Sequence, residues 1–394
     1  MKRTSQILLL FLVFWTFGMT AQEEFKFEEK PLDKVISDAA SAGKPAFIML
    51  YASWCPHCHK MKKEVLTDTS VQQQLKSSYV ISGFDAEKPD GKAIIKKYKL
   101  RSFPTFAFLS TTGELLYAFS GELTVDEFKK ELTDAANPKK QLPGLKAAFM
   151  ADTKNADVCL DYVATLRKAG QPTQEPASFY FLTVPDDKLV SNMNWKIFAN
   201  GITHLNSREF QDVVKNQSAY AAVSSRKRVD RKLENIMMEA LKPGSETGSA
   251  DLYLPQRKLV SETNLPKGDS LLFVYDRQYF EIRKDWDGYK NATIDKTDKY
   301  GAKSTNVLKD VAGIYLQDVT DKAALEKAVT WAQKVEMLQP SKDAYLLTAK
   351  LQEKLKDYAA AEASAQKAVD LCNKLGFDSK EATEMLNRLK GNKG

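Results

Sequence analysis

Hydrophobic positions along the chain change their spacing twice, and each change marks a different kind of structure. Leu32, Val35, Ile36 and Ala39 recur at helical spacing and stop at Gly43 and Pro45, which predicts an amphipathic helix. Ala46 to Tyr51 is then an unbroken apolar run, the pattern of a strand buried on both faces. A lysine-rich helical pattern follows through Val65, and Ser70-Val71-Gln72-Gln73 has the form of a capping box opening a short helix. Tyr79 to Phe84 reads as a second strand, and Lys92 to Tyr98 as a helix with Ile94, Ile95 and Tyr98 inward. Phe103 to Leu109 reads as a third strand, turned at Thr111-Thr112-Gly113 into a fourth, Glu114 to Ser120. Thr124-Val125-Asp126-Glu127 is a second capping box, and Asn137-Pro138 stops its helix. Strand–helix–strand alternation followed by a hairpin predicts an α/β domain: a mixed sheet flanked by helices, with its site at the carboxyl ends of strands.

From Leu145 onward the period is helical almost throughout. Cys159, Tyr162, Val163 and Leu166 share one face, as do Trp195, Phe198, Ile202 and Leu205. The segment from Lys242 to Lys267, with three prolines and two glycines, reads as a long loop. Ala332-Gln333-Lys334-Val335-Glu336-Met337-Leu338 returns 33 residues later as Ala365-Gln366-Lys367-Ala368-Val369-Asp370-Leu371, and Ala328 and Ala361 keep the same offset. Lys284-Asp285-Trp286 echoes Lys356-Asp357-Tyr358 as a degenerate earlier copy. The small-and-aromatic pattern of Tyr345, Ala349, Tyr358, Ala361 and Ala368 resembles tetratricopeptide helices, and the resemblance implies an extended surface for a protein or peptide. The expected organisation is a signal peptide at 1–21, an α/β domain at 22–140, a helical region with degenerate repeats at 141–320, and tetratricopeptide-like repeats at 321–394.

The signal peptide rests on Lys2 and Arg3 before an apolar run from Ile7 to Phe17, with small residues near Ala21. A run of eleven residues falls short of the roughly 20 that span a bilayer. No later stretch is longer, so the expectation is an exported protein with no membrane span after cleavage. Hydrophobic content of 43% and charged content of 28% are those of a globular chain. Losing Lys2 and Arg3 lowers the formal charge from +7 to +5, and the densest basic cluster, Arg226 to Lys232, lacks interleaved aromatics, which argues against nucleic acid.

The chemistry concentrates in Trp54-Cys55-Pro56-His57-Cys58-His59. Two cysteines three apart at a helix start form a dithiol able to close into a disulfide. Cys55 there meets the positive end of the helix dipole and unpaired N–H groups, which suit an attacking thiolate. Pro56 fits the first helical position, where its missing N–H is not needed. Cys58, one turn on, is placed to resolve the mixed disulfide formed by Cys55. His57, if protonated, adds positive charge beside that thiolate and makes the pair more oxidising. The same residues spell C-x-x-C-H, but the flanking strand, the lysine-rich helix and Phe103-Pro104-Thr105 fit a thiol site better than haem attachment. Zinc needs four converging ligands, and the remaining His204, Cys159 and Cys372 are unpaired in sequence. No metal or other cofactor is expected. Cys159 and Cys372 lie on apolar stripes and read as small buried hydrophobes, with a bridge between them as the rival.

The order of elements, Trp54-Cys55-x-x-Cys58 and Phe103-Pro104-Thr105 before a hairpin strand resemble thioredoxin. The fuller stretch, Ala52-Ser53-Trp54-Cys55 with a long helix into Thr67-Asp68-Thr69-Ser70-Val71, is similar to exported thioredoxin-like proteins, including the C-terminal domain of the bacterial thiol:disulfide interchange protein. The Pro56-His57 dipeptide resembles that of periplasmic dithiol oxidases. The resemblance implies a cis-Pro104 facing the dithiol, Phe103 shaping substrate choice, Trp54 walling a groove, and Gly121 allowing close approach of a loop. It also implies protein thiols and disulfides as substrates, with a membrane or soluble redox partner, and a bacterial periplasm as the location. One position departs from it: thioredoxins carry a buried aspartate six residues before the first cysteine, and here that residue is Met49. The expected function is thiol:disulfide exchange, with the helical region recruiting a partner. The other reading is an interaction scaffold whose thioredoxin-like head is redox-silent.

Overall fold

A computed structural model describes residues 24–100 and 102–391, so the expected signal peptide lies outside the described residues. They divide into two compact units, 24–184 with Lys196–Gly201, and Pro185–Trp195 with 202–391.

The first unit is built on four strands, β1 (Ala46–Tyr51), β2 (Val80–Asp85), β3 (Thr105–Leu109) and β4 (Leu115–Ser120), in the order β2-β1-β3-β4. β1 runs parallel to β2, with Ala46 opposite Val80, and antiparallel to β3, with Ala46 opposite Leu109. β4 closes the hairpin antiparallel to β3. The sheet is therefore mixed, and the unbroken apolar run of β1 has its cause in the two-residue period of a strand. Phe47 and Met49 enter one core, whereas Ala46, Ile48 and Leu50 enter the other.

Helices cover both faces. α1 (Leu32–Ala42) ends on Gly43 in the left-handed conformation. α2 (Pro56–Lys60) carries on as one π-helical turn, Met61–Val65. α3 (Thr69–Ser78), α4 (Pro89–Tyr98) and α5 (Val125–Ala136) complete the set. α2, α3 and α5 pack on the Phe47 face, α1 and α4 on the Ile48 face. The Thr124–Glu127 capping box is present in both directions. The other box is not: α3 starts one residue before Ser70, because the Asp68 carboxylate takes the N–H groups of Ser70 at 2.9 Å and Val71 at 3.1 Å. Asp68 is the stronger cap and fixes the start.

Beneath the end of β1 lies an aromatic cluster. Phe106 and Phe128 meet edge to face at 5.0 Å, Phe119 and Phe128 at 5.6 Å, and Phe47 stacks on Phe106 at 6.1 Å. The compact unit does not stop with α5. Helices Leu142–Ala151 and Ala156–Lys168 pack against edge strand β4, which removes an exposed strand edge. Lys168 ties them down through the Tyr117 hydroxyl at 2.9 Å and Glu131 at 3.0 Å.

The second unit is helical throughout its regular structure among the described residues. The expected loop at 242–267 is instead parts of three helices, Arg226–Thr247, Ala250–Glu262 and Pro266–Ile282. Pro243 and Pro255 lie inside helices, while Gly244 serves packing and Pro266 a helix start. A Cβ on Gly244 would stand 2.6 Å from the Tyr253 backbone, and Pro266 sits at a first helical turn. A buried Asp276 joins two of these helices, accepting from Tyr253 at 2.7 Å and from Arg257 at 2.6 and 2.9 Å. The 33-residue repeat falls on helices Lys322–Leu338 and Tyr358–Leu375, and its paired positions Ala328/Ala361, Ala332/Ala365 and Val335/Ala368 are all buried. The earlier echo is a shared turn. Lys284 and Lys356 both have positive φ, and Asp285 and Asp357 each cap the helix that follows.

The aromatic cluster yields a test. Phe106→Ala removes a fully buried ring and should lower the stability of this unit by about 3–5 kcal/mol in chemical denaturation. A loss below about 1 kcal/mol would contradict this packing.

Candidate active site

The end of β1 delivers the chain to a helix start. Cys55 has extended backbone angles and is the N-cap residue of α2, with Pro56 at the first helical position. The Cys58 N–H donates to Cys55 Sγ at 3.3 Å, while the Cys55 carbonyl accepts from Cys58 and His59. A thiol thus occupies the place where a serine or aspartate side chain normally caps a helix. Cys55 is 4% exposed and Cys58 1%, so both cysteines are buried and Cys55 is the less enclosed of the two.

Opposite lies the loop before β3. The Phe103–Pro104 peptide bond is cis, and the Cys55 thiol points to the Phe103 carbonyl at 3.8 Å. Gly121, at the end of β4, donates its N–H to the Pro104 carbonyl at 2.9 Å. Its φ of +105° requires glycine, yet a Cβ there would meet nothing within 4 Å, so its part is backbone conformation and not the close approach expected of it. Cys55, Cys58, Phe103, Pro104 and Gly121 are thereby gathered from three separate segments. Trp54 is no core residue: it is 66% exposed, edge-on to Phe103 at 6.4 Å, and its indole N–H donates to Glu87 at 3.2 Å. Ser53 donates to the other Glu87 oxygen at 3.1 Å.

Charge around the dithiol is arranged in pairs that span the fold. His57 Nδ1 lies 2.7 Å from Glu122, which also bonds Lys60. Lys60 first, then His57, holds the Glu122 carboxyl below its usual range. His57 is therefore tied to an anion instead of standing as a lone positive group beside Cys55. His59 contacts the Ser53 carbonyl through Nε2 at 2.7 Å and Glu24 through Nδ1 at 2.8 Å. Both partners are acceptors, so the protonated ring, donating from both nitrogens, satisfies them best. Glu24, Glu87 and Glu122 carry no local sequence signal, because their partners are 33 to 65 residues away.

The two sulfurs differ in environment. Burial pushes the Cys58 thiol up to about 12, helped by its hydrogen bond with Cys55. Met49 is fully buried in the same core. All four cysteines are free thiols, and burial alone pushes Cys159 up to about 12. Among the described residues no group of three or more His, Cys, Asp or Glu side chains could hold a metal ion.

This geometry accords with the comparisons. Residues 32–136 match the family described as a thioredoxin-like domain. Over 121 residues the chain is 30% identical to protein disulfide isomerase-like 1-1 of Arabidopsis thaliana, covering 28% of this chain and 23% of that protein. Over 85 residues it is 33% identical to thiol:disulfide interchange protein DsbD 1 of Pseudomonas aeruginosa, covering 21% of this chain and 14% of that one. A solved structure titled as a putative disulphide-isomerase from Bacteroides thetaiotaomicron is similar at 24% identity and a TM-score of 0.27, covering 29% of this chain and 94% of that chain. The chain spans less than a quarter of the length of these two curated relatives. The protein carries a thioredoxin-like domain with a mixed four-stranded sheet, followed by an all-α region.

The His59 contacts generate a pH prediction. The Ser53 carbonyl, then Glu24, raises the His59 pKa above its usual 6.5. The stability these bonds add is complete below pH 6.5 and is lost as pH rises through the raised value. NMR titration of the His59 ring should give a midpoint above 6.5; a midpoint at or below it would contradict the contacts.

Proposed function

We propose that the protein is an exported thiol:disulfide oxidoreductase that exchanges a Cys55–Cys58 dithiol/disulfide with protein substrates. One observation carries the reading: the Cys55 sulfur receives the Cys58 N–H at a helix start while facing the Phe103 carbonyl next to cis-Pro104. An N–H aimed at sulfur stabilises a thiolate, and a thiolate is the attacking species. In this reading Cys55 attacks a substrate disulfide and Cys58 attacks the resulting mixed disulfide. The backbone at Phe103 pairs with an extended substrate segment, as in strand addition. Trp54, held by Glu87, and Phe103 wall the groove, and Gly121 shapes its floor through Pro104. Pro56 and His57 tune the pair, and the anchoring of His57 to Glu122 favours the reducing or isomerising end of the range over strong oxidation. The resemblance to interchange and isomerase proteins supports the same end.

Export, with cleavage near residue 21 and a periplasmic location, belongs to the same proposal. So does a tetratricopeptide-like role for residues 321–394, with the helices before them at 141–320. The repeated helix pairs and shared Lys-Asp turns support a surface that recruits a partner protein or peptide. A membrane or soluble redox partner would restore the dithiol.

Trapping tests the central reading. Cys58→Ala should accumulate mixed disulfides on Cys55, seen as reducible adducts on non-reducing gels, and Cys55→Ala should lose them. Absence of adducts on the Cys58→Ala protein would favour the redox-silent scaffold.

A further inference from the structure

We propose that Lys62 is the electrostatic partner of Cys58, supplying the positive charge that favours the Cys58 thiolate during resolution. The inference rests on the exchange reading above, and it answers the question posed by Met49: what assists a buried resolving thiol that has no carboxylate at the expected position.

Lys62 lies four residues after Cys58, the spacing that puts two side chains on one helix face. Its ammonium stands 3.2 Å from the centroid of the Tyr51 ring, at the end of β1. Tyr51 packs against the core cluster that contains Cys55 and Cys58. The segment 24–28 roofs the same place. Phe25 N–H donates to the Lys62 carbonyl at 2.9 Å, Phe27 stacks on Tyr51 at 6.4 Å, and a Cβ on Gly83 would strike the Phe27 ring. Lys62 is thus half-buried, and among the described residues no carboxylate forms an ion pair with it. Burial lowers its pKa, while Glu24, Cys58, Asp85 and Glu29 oppose that shift. Burial and Cys55 push the Cys58 pKa up, and the Ala52 backbone first, then Lys62, pull it down. A charge held partly out of water is screened weakly, so its field on a neighbouring sulfur survives physiological salt.

The assisted step balances as follows. Cys58 Sγ forms a bond to Cys55 Sγ, the bond from Cys55 Sγ to the substrate sulfur breaks, and the substrate leaves as a thiolate. The two protein thiols are oxidised by two electrons, the substrate disulfide is reduced, and the two thiol protons end on the two substrate sulfurs. Lys62 keeps its proton throughout and acts through Cys58, as a positioning residue.

The test uses the full chain and an aromatic disulfide reagent whose thiol product is coloured. Cys55 releases one equivalent, and Cys58 releases the second on resolution. Losing the charge in Lys62→Met keeps the apolar stem; each unit of rise in the Cys58 pKa cuts the thiolate tenfold but raises its nucleophilicity, for a net slowing of roughly threefold. Lys62→Arg should restore the wild-type rate, and Lys62→Gln serves as a second neutral variant. A second phase as fast in both neutral variants as in wild type, or as slow in Lys62→Arg as in Lys62→Met, would overturn the role of Lys62. A wild-type chain that releases no second equivalent would overturn the exchange reading itself.

Discussion

The hydrogen bond from the Cys58 N–H to Cys55 Sγ is the interaction on which the rest of the site depends. It exists because a helix starts where a strand ends, and a helix start leaves N–H groups without carbonyl partners. In most helices an oxygen of Ser, Thr, Asp or Asn meets that need. Here a sulfur does, and the donor is the backbone of the second cysteine, so the capping interaction also sets the spacing of the dithiol. β1 holds the junction still because it is buried on both faces between the Phe47 and Ile48 cores. The loop before β3 is held against it by β1–β3 pairing and by the Gly121 N–H on the Pro104 carbonyl.

Around this rigid centre the charges are paired outward. Glu122 engages His57 and Lys60, Glu24 engages His59, and Glu87 engages Trp54 and Ser53. These exposed contacts contribute little to stability one by one. Their consequence is directional: each fixes the orientation of a group on the rim, and Glu122 and Glu24 also face basic groups there. The buried side is different. Met49 brings no charge to the core under Cys58, and the half-buried ammonium of Lys62 faces Tyr51 instead of a carboxylate.

Local patterns made most of the first domain legible. The continuous run of β1, the helical spacing of α1 and the Thr124–Glu127 box each depend on neighbours in sequence, and each appears where its pattern lies. The start of α3 was less legible, because Asp68 and Ser70 are both good caps and only the backbone decides between them. The segment 242–267 misled for a different reason. Gly244 and Pro266 are turn formers in isolation, but close helix packing and a first helical turn need the same residues. Cys55, Cys58 and Pro104 could be read from motif and resemblance. Glu24, Glu87 and Glu122 could not, since a lone glutamate gains meaning only when the fold brings its distant partner near. The repeat at 328–338 and 361–371 was legible because matching positions of both copies are buried, Ala328, Ala332 and Val335 in one core and Ala361, Ala365 and Ala368 in the next.

The account stands or falls on whether Cys55 and Cys58 form a reversible couple. Equilibration of the full chain in glutathione buffers, with alkylation of free thiols, measures its reduction potential. The account predicts one two-electron transition involving both cysteines, between about −270 mV, the value for thioredoxin, and about −180 mV, that for protein disulfide isomerase. Two thiols that remain alkylatable across the whole range, or a couple near the −120 mV or so of a strong dithiol oxidase, would contradict it.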